Sequence, residues 1–261
     1  MSFEKKWRFA HASVIGAAHL AQNTECQDRF ICRQIETKEG EILIAAIADG
    51  AGSTSNGQTG AELACRIFVE EAEDFLKTTD ASLRSLNADF GKYWLEFFQK
   101  QIAEIAEKEA KPMRDYASTF VAAIVGEQNA AFFQVGDGAA VYTSAEKPEE
   151  FVFSIDPIET EYANVTDFLT DKEAFSALRF RQTDAPIEDL ILFSDGIFAV
   201  AVDYKTNQPH APFLRPMIAP LKNGQNTEVL NAKLAGFLAS AKINEKTDDD
   251  KTLILASRRK L

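Results

Sequence analysis

Residues 42–50 read ILIAAIADG, a run of seven apolar residues that ends directly on Asp49-Gly50. A continuous apolar run of this length is typical of a strand that is buried on both faces, and Asp-Gly is a common turn dipeptide. The run therefore predicts a core strand that places the Asp49 carboxylate at its open end.

An acidic residue borders a buried strand at three other places. LILFS (190–194) continues into Asp195-Gly196, and FFQVG (132–136) continues into Asp137-Gly138. Asp248-Asp249-Asp250 lies just before TLILA (252–256). Any one Asp-Gly pair is equally well explained as a simple turn. Four carboxylates that converge at strand ends repel one another unless protons or cations bridge them, and oxygen ligands with few histidines favour Mg²⁺ or Mn²⁺ over zinc.

The order of elements predicts an α+β fold of antiparallel sheets covered by helices. Strands fill the first 50 residues, two helices begin at Gly60 and Ser82, strands return after Tyr116, and a helix near Glu228–Ala241 precedes the last strand. This order lacks the strict strand–helix alternation of a doubly wound fold. The predicted strands are Phe9–Ile15, Arg29–Ile35, Ile42–Ala48, Thr119–Val125, Ala130–Val135, Ala140–Thr143, Phe151–Ile155, Leu190–Phe193 and Thr252–Ala256.

Two segments are predicted to be surface excursions within a single domain that spans residues 1–261. Residues 157–186 are polar and mixed, and residues 203–226 contain four of the eight prolines. Core strands lie on both sides of each segment, so neither is interpreted as a linker between domains.

Composition excludes several classes of partner. Forty acidic against 28 basic residues give a net charge of −12, which repels nucleic-acid backbones and anionic membrane surfaces. No apolar segment follows the basic residues of the N-terminus, and residues 42–48 are far too short to span a membrane. Three cysteines without paired spacing argue against a disulfide framework and predict a reducing, cytoplasmic location.

An alternative interpretation rests on residues 52–59. GSTSNGQT matches the phosphate-binding loop G-x-x-x-x-G-K-[ST] except at Gln58, where the lysine that contacts the outer phosphates is missing. A nucleotide-binding ATPase depends on this loop alone. The competing interpretation is a Gly/Ser turn that precedes the next helix, with Ser55 or Asn56 near its start.

Six short motifs, taken in order, resemble the metal-dependent serine/threonine protein phosphatases of type 2C, especially the bacterial branch. Residues 161–166 (EYANVT) also resemble the flap region of that branch, and the resemblance covers residues from about 10 to 257. The six motifs are Gln27-Asp28, Asp49-Gly50-Ala51-Gly52, Ala117-Ser118-Thr119, Val135-Gly136-Asp137-Gly138, Ser194-Asp195-Gly196 and Asp249-Asp250-Lys251-Thr252.

The resemblance implies a four-layer α-β-β-α sandwich in which two antiparallel sheets are flanked by helices. It also implies two Mn²⁺ or Mg²⁺ ions: Asp49 bridges them, the Gly50 carbonyl binds one, and Asp195 and Asp249 complete the second site. Thr252 sets the register that selects Asp249 rather than Asp250.

By the same resemblance, Asp28 holds water molecules in the metal site and Asp137 contributes to a weaker third ion. The implied reaction is hydrolysis of phosphoserine and phosphothreonine in proteins by an activated water, without a covalent intermediate. A phosphoprotein substrate, and a cognate Ser/Thr kinase that shares its targets, are the implied partners.

The chain departs from the family at three positions. Many members carry a general-acid histidine just after the first Asp-Gly, where this chain has Ala51-Gly52-Ser53-Thr54, and no arginine that could grip phosphate lies between Arg8 and Arg29. We expect His19 to take a catalytic role, as general acid or phosphate ligand; the alternative is a histidine that only supports a turn. Ala199 stands where a further aspartate often helps hold the third ion. A catalytically weak family member that binds phosphoproteins as a regulatory module is the alternative function.

Overall fold

A computed structural model describes residues 5–78, 81–157 and 166–260. Two antiparallel sheets face each other, and helices cover both outer faces, so the predicted α-β-β-α sandwich is confirmed. The strands are β1 (Lys5–Val14), β2 (Arg29–Thr37), β3 (Gly40–Ala48), β4 (Phe120–Val125), β5 (Ala130–Val135), β6 (Ala139–Ser144), β7 (Val152–Phe153), β8 (Arg179–Thr183), β9 (Ile187–Phe193), β10 (Val202–Asp203), β11 (Gln208–Pro209) and β12 (Lys251–Lys260). The helices are α1 (Ala17–Gln22), α2 (Gly57–Lys77), α3 (Ala88–Glu109), α4 (Ala174–Ala177), α5 (Phe198–Ala201), α6 (Ala211–Lys222), α7 (Thr227–Leu238) and α8 (Ala241–Asn244).

Within the described residues each large sheet has five strands. One has the order β1-β12-β9-β6-β7 and the other the order β2-β3-β4-β5-β8. Helices α2 and α3 cover the second sheet, and α6 and α7 cover the first. A third apolar layer fills the space between the sheets.

The apolar run of β3 shows why this sequence needs two covered faces. Ile42, Ile44 and Ala46 pack into the layer beneath α2 and α3. Leu43 and Ala45 alternate with them and pack into the layer between the sheets. Because successive side chains of a strand point to opposite faces, a strand in the middle of a four-layer sandwich is apolar at every position.

The second predicted helix begins later than its apolar pattern suggested. Leu83–Ser85 forms a separate 3₁₀ turn, and the chain is extended again at Leu86. Helix α3 then starts at Ala88, where the Asn87 side chain accepts hydrogen bonds from the N–H groups of Asp89 and Phe90. An N-cap of this kind satisfies donors that no helical carbonyl can reach, so Asn87 fixes the start of the helix.

The prediction of a proline-rich loop near 203–226 is wrong. The segment contains the short β10–β11 hairpin and the twelve-residue helix α6, with Pro216 and Pro220 inside the helix. Proline removes a backbone donor and disfavours a helix interior. Here Leu214, Ile218 and Leu221 lie on one side of α6 and are buried, and this packing outweighs the local penalty.

The predicted excursion near 157–186 is wrong in its second half. Arg179–Thr183 forms β8, which pairs with β5 at the edge of the second sheet. Its side chains are half-buried or exposed, so it lacks the apolar signal of a core strand. Residues 161–165 of the motif that resembles the flap lie outside the described residues, and Thr166 lies within them.

Candidate active site

The pairing of the strands brings the predicted carboxylates to one edge of the sandwich. Asp28 precedes β2 and Asp49 follows β3, and the antiparallel pair Arg29–Ala48 places these two residues side by side. Asp195 lies two residues beyond the end of β9, and Asp249 lies two residues before β12. Because β9 and β12 also pair antiparallel, that second pair of carboxylates meets at the same edge.

The carboxylates are close enough to perturb one another. Burial raises the pKa of Asp49 well above its usual value, and the charges of Asp28, Asp195 and Asp249 raise it further. Burial, with the charges of Asp137 and Asp249, raises the pKa of Asp195 to about 7. Burial also raises the pKa of Asp249. Like charges that share a site oppose ionisation unless a proton or cation compensates them.

Asp28 is the most deeply buried member of the group, at 1% exposure. Burial raises its pKa to about 6, while hydrogen bonds from Thr252, Ser194 and Asp49 act in the opposite direction. The Ser194 hydroxyl donates to Asp28 Oδ2 at 2.8 Å and accepts the N–H of Thr252 at 3.0 Å. Ser194 therefore links Asp28 to the start of strand β12.

The backbone around Gly50 is held firmly and leaves no room for a side chain. Thr119 N donates to Asp49 O at 2.8 Å and Ala51 N donates to Ala117 O at 2.9 Å, which fixes the chain on both sides of Gly50. A Cβ atom at Gly50 would lie 2.4 Å from the backbone of Gly57. Only glycine fits at this position, and its carbonyl stays beside Asp49.

The donor set fits a divalent cation. Asp28 Oδ1 and Asp195 Oδ1 are buried and have no hydrogen-bond partner among the described residues. Unpaired carboxylate oxygens of this kind are costly without a compensating charge, and hard oxygen ligands suit Mg²⁺ or Mn²⁺. No three acidic, histidine or cysteine side chains among the described residues already stand in a geometry that could hold one ion. Water or the Gly50 carbonyl, together with small side-chain movements, would have to complete the coordination.

Asp137 stands apart from the buried carboxylates. It is exposed, and its side chain accepts a hydrogen bond from Thr166 Oγ1 at 2.7 Å. Its charge nevertheless reaches Asp195 and contributes to the raised pKa of that group. Ala199 lies on the short helix α5, immediately after the turn that contains Asp195.

His19 lies on α1 and is 5% exposed. Its Nδ1 atom is 2.9 Å from Asp250 Oδ2, a close contact that is not aligned as a hydrogen bond. Its Nε2 atom faces the Ala51-Gly52 segment, because a Cβ atom at Gly52 would lie 3.2 Å from it. The structure thus brings His19 beside the loop that follows Asp49-Gly50.

The role of Asp250 in the structure was not predicted from the sequence. Its carboxylate accepts the backbone N–H groups of Gly16 and Gln27, both at 2.6 Å, in addition to its contact with His19. It therefore fixes the segment that leads from β1 to Asp28. Asp250 belongs to the motif Asp249-Asp250-Lys251-Thr252, but the resemblance implied a role for Asp249 alone.

Comparison with known proteins places the chain in a family. The sequence model of protein phosphatase 2C matches residues 15–239, so the chain belongs to the protein phosphatase 2C family. Membership makes it a protein serine/threonine phosphatase, a metal-dependent class, and confirms the resemblance drawn from the six motifs.

A curated relative is serine/threonine-protein phosphatase 3 of Escherichia coli (strain K12). It is 32% identical over 253 residues, which cover 96% of this chain and 98% of that protein. Among solved structures, the serine/threonine phosphatase of S. agalactiae has a TM-score of 0.64 at 16% identity, covering 97% of this chain and 99% of that one. RsbX in complex with magnesium has a TM-score of 0.58 at 15% identity, covering 98% of both chains. These structural matches support the fold.

Proposed function

We propose that the chain uses two Mn²⁺ or Mg²⁺ ions to hydrolyse phosphoserine and phosphothreonine in proteins, and that it does so as a single catalytic domain. The observation that carries this proposal is the meeting of Asp28, Asp49, Asp195 and Asp249 from four separate segments at one edge of the sandwich.

Asp49, Asp195, Asp249 and the Gly50 carbonyl are the groups that would hold the ions. When bound, two divalent cations lower the pKa of a water molecule and neutralise the phosphoryl oxygens, the main requirement for a phosphate ester that is otherwise very stable. Asp28 would orient the attacking water through its unpaired Oδ1, since its other oxygen is occupied by Ser194.

The attacking water displaces the serine or threonine oxygen from phosphorus directly, so no residue of the chain becomes phosphorylated. The departing oxygen then needs a proton. His19 is the candidate donor, because its Nε2 atom faces the loop after Asp49-Gly50 while its Nδ1 atom contacts the Asp250 carboxylate on the other side of the ring.

The alternative of a phosphoprotein-binding module without turnover is not favoured. A domain that has lost catalysis has no need for four mutually repelling carboxylates, which cost stability in the folded state. Asp137 stands near enough to Asp195 to contribute to a third, weaker ion, but Ala199 supplies no ligand beside it.

The proposed setting is the cytoplasm, with a Ser/Thr kinase acting on the same substrates. Cys26, Cys32 and Cys65 are free thiols, which fits a reducing compartment. Among the described residues no helix is both long and apolar enough to cross a membrane.

The test is hydrolysis of an aryl phosphate and of a phosphothreonine peptide with Mn²⁺, with Mg²⁺, and with excess chelator. Asp49→Asn should remove most activity on both substrates while the far-UV circular dichroism stays unchanged. The matched control is Asp74→Asn, the same change at an exposed position of α2, which should retain full activity. Undiminished turnover in chelator would exclude the proposal.

A further inference from the structure

A groove of about 360 Å³ lies beside the carboxylate site. Such a volume lies at the lower end of what ligand sites occupy. The groove lies between the loop that follows Asp49-Gly50 and a segment after Thr166. Its lining includes Ala51, Ser53, Thr54, Arg114, Ala117 and Phe168.

Both walls of the groove start at residues of the site. On one wall, Ala51 directly follows Gly50 and is bound to Ala117 by a backbone hydrogen bond of 2.9 Å. On the other wall, Phe168 lies two residues beyond Thr166, whose hydroxyl donates to Asp137. The groove therefore leads away from the carboxylates along a path that an extended peptide could follow from the reacting residue.

Arg114 is the basic side chain that lines this groove. It lies on the 3₁₀ turn Met113–Tyr116, which is fixed by a hydrogen bond from Asn56 N to Asp115 O at 3.0 Å. The side chain is exposed, and no described residue forms an ion pair or hydrogen bond with its guanidinium. Arg66 and Arg84, by contrast, pair with Glu70 and Asp184.

Two carboxylates, Asp115 and Asp171, also line the groove, and neither forms an ion pair with Arg114. Asp171 Oδ2 accepts the N–H of Phe168 at 2.8 Å and so shapes the opposite wall. The backbone of Asp115 is fixed by the hydrogen bond from Asn56 N to Asp115 O. Among the described residues the groove thus offers one cation without an ion-pair partner, Arg114, beside two carboxylates, which suits a single acidic group and disfavours an acidic run.

We propose that this groove binds the residues that flank the phosphorylated serine or threonine, and that Arg114 pairs with the carboxylate of an aspartate or glutamate in the substrate. Extended peptide advances about 3.4 Å per residue, so residues within three positions of the reacting one lie within about 10 Å of it. The guanidinium fork matches a carboxylate in geometry and charge. This inference rests on the proposed function and adds to it a substrate preference.

The test uses sets of phosphothreonine peptides. Each set varies one position within three residues of the phosphothreonine, on its N-terminal or C-terminal side, and places Glu, Gln or Lys there. We expect the wild-type protein to prefer Glu over Gln at one of these positions by about two- to fivefold in kcat/KM, the range of an exposed charge pair. Arg114→Ala should lower kcat/KM for the Glu peptide to that of the Gln peptide. Arg114→Glu should shift the preference to Lys.

An aryl phosphate has no flanking residues, so its hydrolysis should not change in either variant. Arg66→Ala removes an exposed arginine from α2, outside the groove, and should leave kcat/KM for every substrate at its wild-type value. An equal loss on the aryl phosphate and on all peptides would overturn the proposal, because Arg114 would then bind the phosphate itself or support the fold. A wild-type protein indifferent to Glu, Gln and Lys would overturn it as well. If the wild-type protein hydrolysed no substrate with either metal, the proposed function would fail instead, and substrate selection by the groove with it.

Discussion

The Nδ1 atom of His19 lies 2.9 Å from Oδ2 of Asp250, and both side chains are buried. Asp250 is itself fixed by the backbone N–H groups of Gly16 and Gln27. The imidazole is therefore held with Nε2 toward Ala51-Gly52. The family resemblance implies a histidine just after Asp49-Gly50, and this chain brings His19 to that loop from α1.

The first prediction is that His19→Ala lowers turnover on phosphopeptides far more than on aryl phosphates. General-acid assistance contributes about 10²–10⁴-fold when the leaving oxygen is a poor one. Serine and threonine oxygens leave poorly without a proton, whereas an aryl oxygen leaves as a stable anion. Parallel measurements of kcat on both substrates, at saturating Mn²⁺, test this difference.

His210→Ala is the matched control. His210 lies at the start of α6, and its side chain contacts the Val200 carbonyl rather than the loop after Asp49-Gly50. It should leave the ratio of the two kcat values unchanged. Equal losses on both substrates in His19→Ala would mean that His19 binds phosphate or supports the fold rather than donating a proton.

The sequence predicts a catalytic role for His19, but the contacts that hold it beside the loop after Asp49 could not be predicted, because they join residues far apart in the chain. The spacing of apolar residues predicts strands and helices and so the sandwich, since each pattern is local. Asp250 and Gly16 are 234 positions apart, and no local pattern links them. The family motifs indicated which carboxylates meet but not what holds His19.

The difference between local patterns and long-range contacts also explains why α6 and β8 were not predicted from the sequence. Pro216 and Pro220 give a strong local signal against a helix, and only the packing of α6 on the first sheet overrides it. Arg179–Thr183 is a polar edge strand, so its place is set by pairing with β5 rather than by its own composition. Local signals therefore failed where tertiary contacts decide the structure.

The second prediction concerns pH and stability in the absence of metal. An aspartate in the unfolded chain ionises near pH 3.9, whereas in the folded protein Asp195 has a pKa of about 7 and Asp28 of about 6. Between about pH 4 and 7 the folded protein binds more protons than the unfolded chain, so the free energy of unfolding falls as pH rises. We expect protein in chelator to melt at a higher temperature near pH 5 than near pH 7.5, by thermal unfolding followed with circular dichroism.

Asp195→Asn isolates this effect, because it removes one of the raised pKa values. The variant should melt higher than the wild-type protein near pH 7.5 and depend less on pH across the same range. Asp74→Asn, on the surface of α2, should keep the wild-type dependence of melting temperature on pH. If Asp195→Asn kept that same dependence, other groups would govern it.

The third prediction is that Mn²⁺ raises the melting temperature and that Asp49→Asn removes most of this increase. A ligand at one hundred times its Kd that binds only the folded state adds about 2.7 kcal/mol to the free energy of unfolding. The increase should be larger near pH 7.5 than near pH 5, because protons compete for the same carboxylates. Calorimetric titration of Mn²⁺ into both proteins supplies the affinities. Equal stabilisation of Asp49→Asn and wild type would place the bound metal elsewhere.

The fourth prediction concerns a third ion. Asp137 is exposed and accepts a hydrogen bond from Thr166, and Ala199 offers no side-chain oxygen beside the turn that contains Asp195. We therefore expect calorimetric titration to count two Mn²⁺ ions in the wild-type protein. Ala199→Asp should add a third, weaker ion, because a carboxylate at this position would join those of Asp137 and Asp195. Ala199→Asn introduces a side chain of the same size without the charge, and it should bind the third ion more weakly than Ala199→Asp does. A third ion already bound by the wild-type protein and lost in Asp137→Asn would show that the carboxylate missing at position 199 is not needed.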